Sequence, residues 1–339
     1  MTTNGDARTP RLSARVVQIG LGCLWLLDGL LQLQPKLFGP DFANNVILPS
    51  AQGQPGLLSG SVTHMAHLIS VQPAVVNAVF ASVQILVGIG LLLRDTVKPA
   101  LALSIGWALG VWAFGEGFGM LFTGSASPLT GAPGAALLYA AVSLLVWPAA
   151  RTRAPPDRRA PAAADGPLGA AGGRAVWAAL WVGMGLLWLL PANRTPGSVA
   201  GAIQGAASGE PGWLSHLEMA ASNLFAGRGS STAVVTAAAS MVIGLGPLVT
   251  KRSWPYLVAG MALALDYWVF GQAFGQMFTG GGTDPSTGPL VILLAVALFP
   301  NAAPPGTLAA ARTARTQEVL PLPVEWAPTP ASGTGVPVH

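Results

Sequence analysis

Charge is what this chain has least of. Only 9% of its 339 residues are Asp, Glu, Lys or Arg, against about 25% in an ordinary soluble domain. Its 17 basic and 13 acidic side chains cannot cover a water-facing surface of this size, so lipid must solvate much of it. Cysteine is scarcer still. The single Cys23 lies inside the first apolar run, which excludes an intramolecular disulfide and leaves a small packing residue. No Ser-His-Asp, Walker or haem-attachment pattern is present, which speaks against a soluble-type enzyme. The pI of about 9.7 does not mark a nucleic-acid binder, because the basic residues sit in short clusters between apolar runs.

What is present is apolar length. Hydrophobic residues make up 52% of the chain and mean hydropathy is +0.55. A membrane span needs roughly 20 largely apolar residues, and candidates lie near 16–34, 74–93, 98–121, 134–150, 174–191, 232–249, 254–278 and 287–303. The first follows a polar N-terminus and has no small-residue cleavage site after it, so it reads as a retained helix. The connections sort by charge, with only Lys36, Arg194 and Arg228 on one side and every other basic cluster on the opposite side. The positive-inside rule then puts both termini in the cytoplasm of a cell whose plasma membrane holds the protein.

One line is written twice. "WAFGEGFGMLFTG" begins at Trp112 and "WVFGQAFGQMFTG" at Trp268, with Glu116 replaced by Gln272. "GCLWLLD" from Gly22 pairs with "GLLWLLP" from Gly185, and "GQPGLL" from Gly53 pairs with "GEPGWL" from Gly209. The expectation is an all-α polytopic membrane protein of eight transmembrane helices, arranged as two tandem four-helix modules in the same orientation. The first module covers 1–150, with a long outer loop at 35–73. A flexible Pro- and Arg-rich linker at 151–173 leads to the second module at 174–303, and a Pro-rich disordered cytoplasmic tail fills 304–339. Both outer loops should carry short helices that cap the modules and enclose a cavity.

If the repeated line is helical, Gly115 and Gly119 stack four apart, as do Gly271 and Gly275, and each pair makes a small-residue seam for close helix packing. A phosphate-binding reading of these glycines fails, since no strand precedes them and no lysine follows. Acids at membrane depth carry more chemical meaning. Asp28, Glu116 and Asp266 all fall in the outer halves of their spans without a basic neighbour. In "SVTHMAHLIS", His64 and His67 share a helical face at a spacing that suits a metal. Asp28, His67 and Glu116 are expected to converge at the outer end of the first module. The second module carries Pro191 and Gln272 in place of the two acids.

The stretch "LGCLWLLDGLLQLQP", in a four-span module with an Asp late in its first helix, resembles the DoxX/DoxD-like membrane proteins. That resemblance implies a redox-associated or scaffold subunit working with membrane oxidoreductase partners, and a quinone as ligand. A metal ion is the other cofactor to consider. The alternative is a small-solute or proton-coupled transporter with a site between the modules, using Asp28 and Asp266. Either way the lipid bilayer is the first partner and nucleic acid is not one.

Overall fold

The computed structural model describes residues 12–149, 160–250 and 252–301. The tail at 304–339 and the centre of the linker, 151–159, lie outside the described residues. Every regular element among the described residues is helical. In chain order they are α1 (Ala14–Gln32), α2 (Gly56–Val71), α3 (Pro73–Leu92), α4 (Val97–Phe114), α5 (Ala135–Leu145), α6 (Gly169–Trp188), α7 (Ser198–Ala206), α8 (Gly212–Phe225), α9 (Gly229–Val249), α10 (Trp254–Phe270) and α11 (Thr287–Leu298), with short single turns between them.

Five helices, α1, α3, α4, α6 and α9, are long and apolar enough to cross a membrane. Their apolar residues run all round rather than along one stripe, and large side chains such as Leu30, Leu86 and Val235 stay exposed. Such exposure is costly in water and costs nothing in lipid. Helix α10 is as apolar but has 17 residues. Helices α5 and α11, at 11 and 12 residues, rise only about 16–18 Å. They are the most enclosed elements, packing on one another and on α1 and α6. Their flanking chain, 115–134 and 271–286, is mostly irregular backbone and short turns folded against protein.

The helices pair as α1 with α3, α6 with α9, α4 with α5 and α10 with α11. Buried polar contacts lock these pairs. The Trp25 indole donates to Ser104 Oγ at 2.8 Å, and Ser104 meets Ser143 at 2.8 Å, which ties α1, α4 and α5. In the C-terminal half the Trp188 indole donates to the Tyr267 hydroxyl at 2.8 Å. Arg15 donates to the carbonyls of Leu91 and Leu92, capping the C-terminus of α3 with a cation.

Two expectations need correction here. The linker is not wholly flexible, since Ala162 and Ala163 are fully buried in the core and α6 starts at Gly169. The repeated line is not a helical seam. Helix α4 stops at Phe114 and α10 at Phe270, so Gly115 and Gly271 are C-caps and the next residues leave the helix. Gly119 and Gly275 have φ of 61° and 74°. A Cβ on Gly119 would lie 1.9 Å from the Pro133 carbonyl oxygen, and one on Gly275 2.3 Å from that of Asp284. The close approach is real but made to loop backbone, not to a neighbouring helix. A Cβ on Gly271 would strike the Leu129 carbonyl at 2.3 Å, again loop.

Candidate functional site

The repeated line serves as a clasp. After α4 the chain turns back so that the Trp112 indole donates to the Pro133 carbonyl at 2.8 Å, while Glu116 Oε1 accepts from the Ala136 N–H at 3.0 Å. That N–H belongs to the first turn of α5, where an acceptor satisfies a donor the helix cannot. The second copy repeats both contacts. Trp268 donates to Pro285 at 2.7 Å, and Gln272 accepts from the Gly288 N–H at 3.3 Å while donating to Thr287 Oγ1 at 2.9 Å. Gln272 thus uses both ends of its side chain. Glu116 uses one, and its Oε2 is buried with no hydrogen-bond partner in the protein. Gly134 makes that placement possible, since a Cβ there would lie 2.1 Å from Oε2.

Beyond Glu116 lies a cavity of about 320 Å³. Helices α1, α3, α4 and α5 frame it, the folded outer loop caps it through Phe42, Ile47 and Met65, and the loop before α11 adds Thr283 and Asp284. Most of the wall is aromatic or aliphatic. Phe80 meets Trp107 edge-on with centroids 4.9 Å apart, and Trp25 stacks on Tyr139 at 4.2 Å. Set into that wall are three carboxyls, Asp28, Glu116 and Asp284, and, among the described residues, no Lys, Arg or His.

Asp28 is 2% exposed and Gln84 7%. Asp28 Oδ1, Gln84 Oε1, Trp107 Nε1, Glu116 Oε2 and the Tyr139 hydroxyl are all buried without a hydrogen-bond partner among the described residues. Tyr139 lies close enough to Asp28 to interact with it but misses full hydrogen-bond geometry. Asp284 is better served, accepting from the Ser286 N–H at 2.7 Å and from the Thr283 hydroxyl at 3.1 Å. Burial pushes the Glu116 carboxyl from its ordinary 4.5 to about 8; Asp284 adds repulsion, and the N–H groups of Ala136 and Ala135 pull it back. Burial also raises Asp284.

The structure brings Asp28 and Glu116 to one cavity but leaves His67 out. Helix α2 turns Val62, Ala66 and Ile69 inward, so His64 and His67 face outward and are exposed. No third ligand joins them, and no group of three or more His, Cys, Asp or Glu among the described residues could hold a metal. The metal expectation on these histidines is therefore withdrawn. Asp266 lines a different cavity, of about 360 Å³, with Trp188, Thr232, Thr236 and Tyr267. Asp28 and Asp266 do not share a site. Asp284 is the residue that sequence reasoning missed. Its only signal was an acid in "TDPSTGPL", a loop otherwise free of charge.

The exchange of loops is reciprocal. Asp284, ahead of α11, lines the N-terminal cavity, and Leu129, ahead of α5, lines the C-terminal one. One cavity receives a carboxyl and the other a methyl-bearing side chain. Comparison with protein-family models, with curated proteins and with solved structures returns no match for this chain.

Proposed function

We propose that this is an integral membrane protein of two like-oriented four-helix halves, and that the first half binds a small lipid-soluble molecule in its carboxyl-lined cavity. The two-half reading draws on the matched pairings, α1–α3 with α6–α9 and α4–α5 with α10–α11, and on the twin Trp and Glu/Gln clasps. Crossed tethers add support. Gln34, just after α1, donates to the Gly282 carbonyl at 3.0 Å, and Asn193, just after α6, donates to the Ala126 carbonyl at 2.7 Å. With α5, α10 and α11 counted as spans, the charge distribution supports reading both termini as cytoplasmic.

The observation that carries the binding reading is that Gln84 Oε1, Trp107 Nε1 and Glu116 Oε2 are buried and unpaired among the described residues around one aromatic cavity, beside an Asp28–Tyr139 pair that falls short of full hydrogen-bond geometry. Each such group costs about 1–3 kcal/mol when nothing satisfies it. A subunit serving only as a scaffold gains nothing from that cost, whereas a binding site recovers it when occupied. The aromatic wall favours an occupant with an apolar body, and the scattered donors and acceptors favour one with a polar end. The C-terminal half keeps the clasp and pairs its amide fully; its own unpaired buried atoms, on Trp181, Glu210, Glu218 and Ser240, line neither of the two cavities described. A redox-linked role, as the DoxX-like resemblance implies, draws on layout alone; ligand binding needs no redox partner.

The test is thermal unfolding of the purified protein in lipid nanodiscs with matched sets of neutral, anionic and cationic membrane-permeant aromatics. Stabilisation by at least one set, abolished by Gly110→Trp, is the expected result. No stabilisation by any set would overturn the reading.

A further inference from the structure

Resting on that binding reading, we propose that the occupant is an organic monocation, a protonated amine on a flat apolar body, admitted sideways from the bilayer along Gly106 and Gly110 of α4 and held between Asp28 and Glu116.

Charge selects the class. The wall carries three carboxyls and, among the described residues, no Lys, Arg or His, so an anion finds no charged partner there, whereas a cation gains an ion pair with any carboxyl that gives up its proton. A compact metal ion is poorly served, because no three potential ligands come together among the described residues. The carboxyls are instead spread around a space with room for a ring system, about 320 Å³. Aromatic faces complete the match. Trp25, Phe80, Trp107 and Tyr139 offer ring surface to a cation already desolvated by the cavity.

Geometry selects the route. Gly106 and Gly110 line the cavity, and a Cβ at either would find no atom within 4 Å. Gly106 is exposed and lies midway along α4, one of the helices fit to cross the membrane. The cavity therefore reaches the surface beside the middle of a span, where the adjoining medium is hydrocarbon. A membrane-dissolved amine can slip past these two glycines. Asp28, Glu116 and Gln84 line the cavity, and rotation of their side chains would turn the unpaired oxygens, now closed off, toward the ammonium.

Binding must displace a proton wherever the receiving carboxyl carries one. The ammonium keeps its own protons, the carboxylic O–H bond breaks, and the proton leaves to solvent as the ion pair forms. The titratable groups facing the site are Asp28 from α1, Glu116 from the loop after α4, Tyr139 from α5 and Asp284 from the loop before α11. Helix α3 contributes Phe80 and Gln84 and α2 contributes Met65, none of which titrates. Affinity for the amine should therefore rise as pH approaches the Glu116 midpoint of about 8.

The experiment uses the full-length protein in nanodiscs and three probes of one shape: 2-naphthylmethylamine, 2-naphthylmethanol and 2-naphthoate. The amine should bind at least about tenfold tighter than the alcohol, and naphthoate weakest. Asp28→Asn should erase the amine's advantage while leaving the alcohol unchanged. If Asp28→Asn does not fold, Glu116→Gln serves, since the homologous clasp already carries Gln272. Equal binding of amine and alcohol, or tighter binding of naphthoate, would sink the cation inference while leaving a ligand site in place. Binding of none of the three, with Gly110→Trp indistinguishable from the parent, would sink both.

Discussion

Replacing Glu116 by Gln should make the protein more stable, and the gain should grow with pH. In the folded chain the carboxyl titrates at about 8, against 4.5 for the free side chain. Between those values the folded state holds a proton that the unfolded chain has released. Stability is then fully present below 4.5, falls as pH rises, and levels off above 8. The slope is at most about 1.4 kcal/mol per pH unit, so a two-unit rise inside the window removes up to about 2.7 kcal/mol. Glu116 as a residue is only half-buried although its Oε2 is out of reach of solvent, so the full slope is an upper bound. Gln removes the titration and keeps the clasp, because its carbonyl can accept from Ala136 as Gln272 accepts from Gly288. Unfolding curves for parent and variant across pH, in the same nanodiscs, give the difference directly. Burial raises Asp284 as well, and because it repels Glu116 the difference between the curves includes that repulsion. Parallel curves, or a parent that outlasts the variant at alkaline pH, would refute the reasoning.

Further outcomes are expected. Gly119→Ala and Gly275→Ala should each destabilise by about 2 kcal/mol or more, since each adds a Cβ at positive φ against loop backbone; Gly110→Ala, with open space around it, should unfold like the parent. The His64→Ala, His67→Ala double variant should leave metal content and amine binding unchanged, because both side chains face outward; loss of either would restore a role for them. In a Cys23→Ser background, an impermeant thiol reagent applied from outside should label cysteines at Gly60 and Ser208, both exposed, but not one at Asp95. Labelling at 95 would invert the proposed topology.

Helices were the legible part of this chain, because long apolar runs with few charges leave little choice of structure in lipid. All eight apolar segments contain a helix, but α4, α5, α10 and α11 stop at Phe114, Leu145, Phe270 and Leu298, well short of the ends the apolar runs suggested. The repeated line misled because glycines four apart look alike whether helical or not. Positive φ at Gly119 and Gly275 depends on what the loop meets, and that is not written in their spacing. The histidines were readable in principle. Val62, Ala66 and Ile69 follow the helical apolar repeat, and that stripe leaves His64 and His67 on the opposite side. Asp28 and Glu116 announced themselves as acids at depth. Asp284 could not, because only the folding of one half's loop across the other brings it to them.

The central claim is that a ligand reaches the carboxyl-lined cavity from the bilayer. Its most direct test is a cysteine placed at Gly110, where a side chain has room, in a Cys23→Ser background. The expected result is slow but measurable reaction with membrane-permeant N-ethylmaleimide, since apolar surroundings hold the thiol protonated, no reaction with a charged impermeant maleimide from either side, and protection by 2-naphthylmethylamine but not by 2-naphthoate. Efficient labelling by the impermeant reagent, or labelling that the amine does not slow, would contradict it.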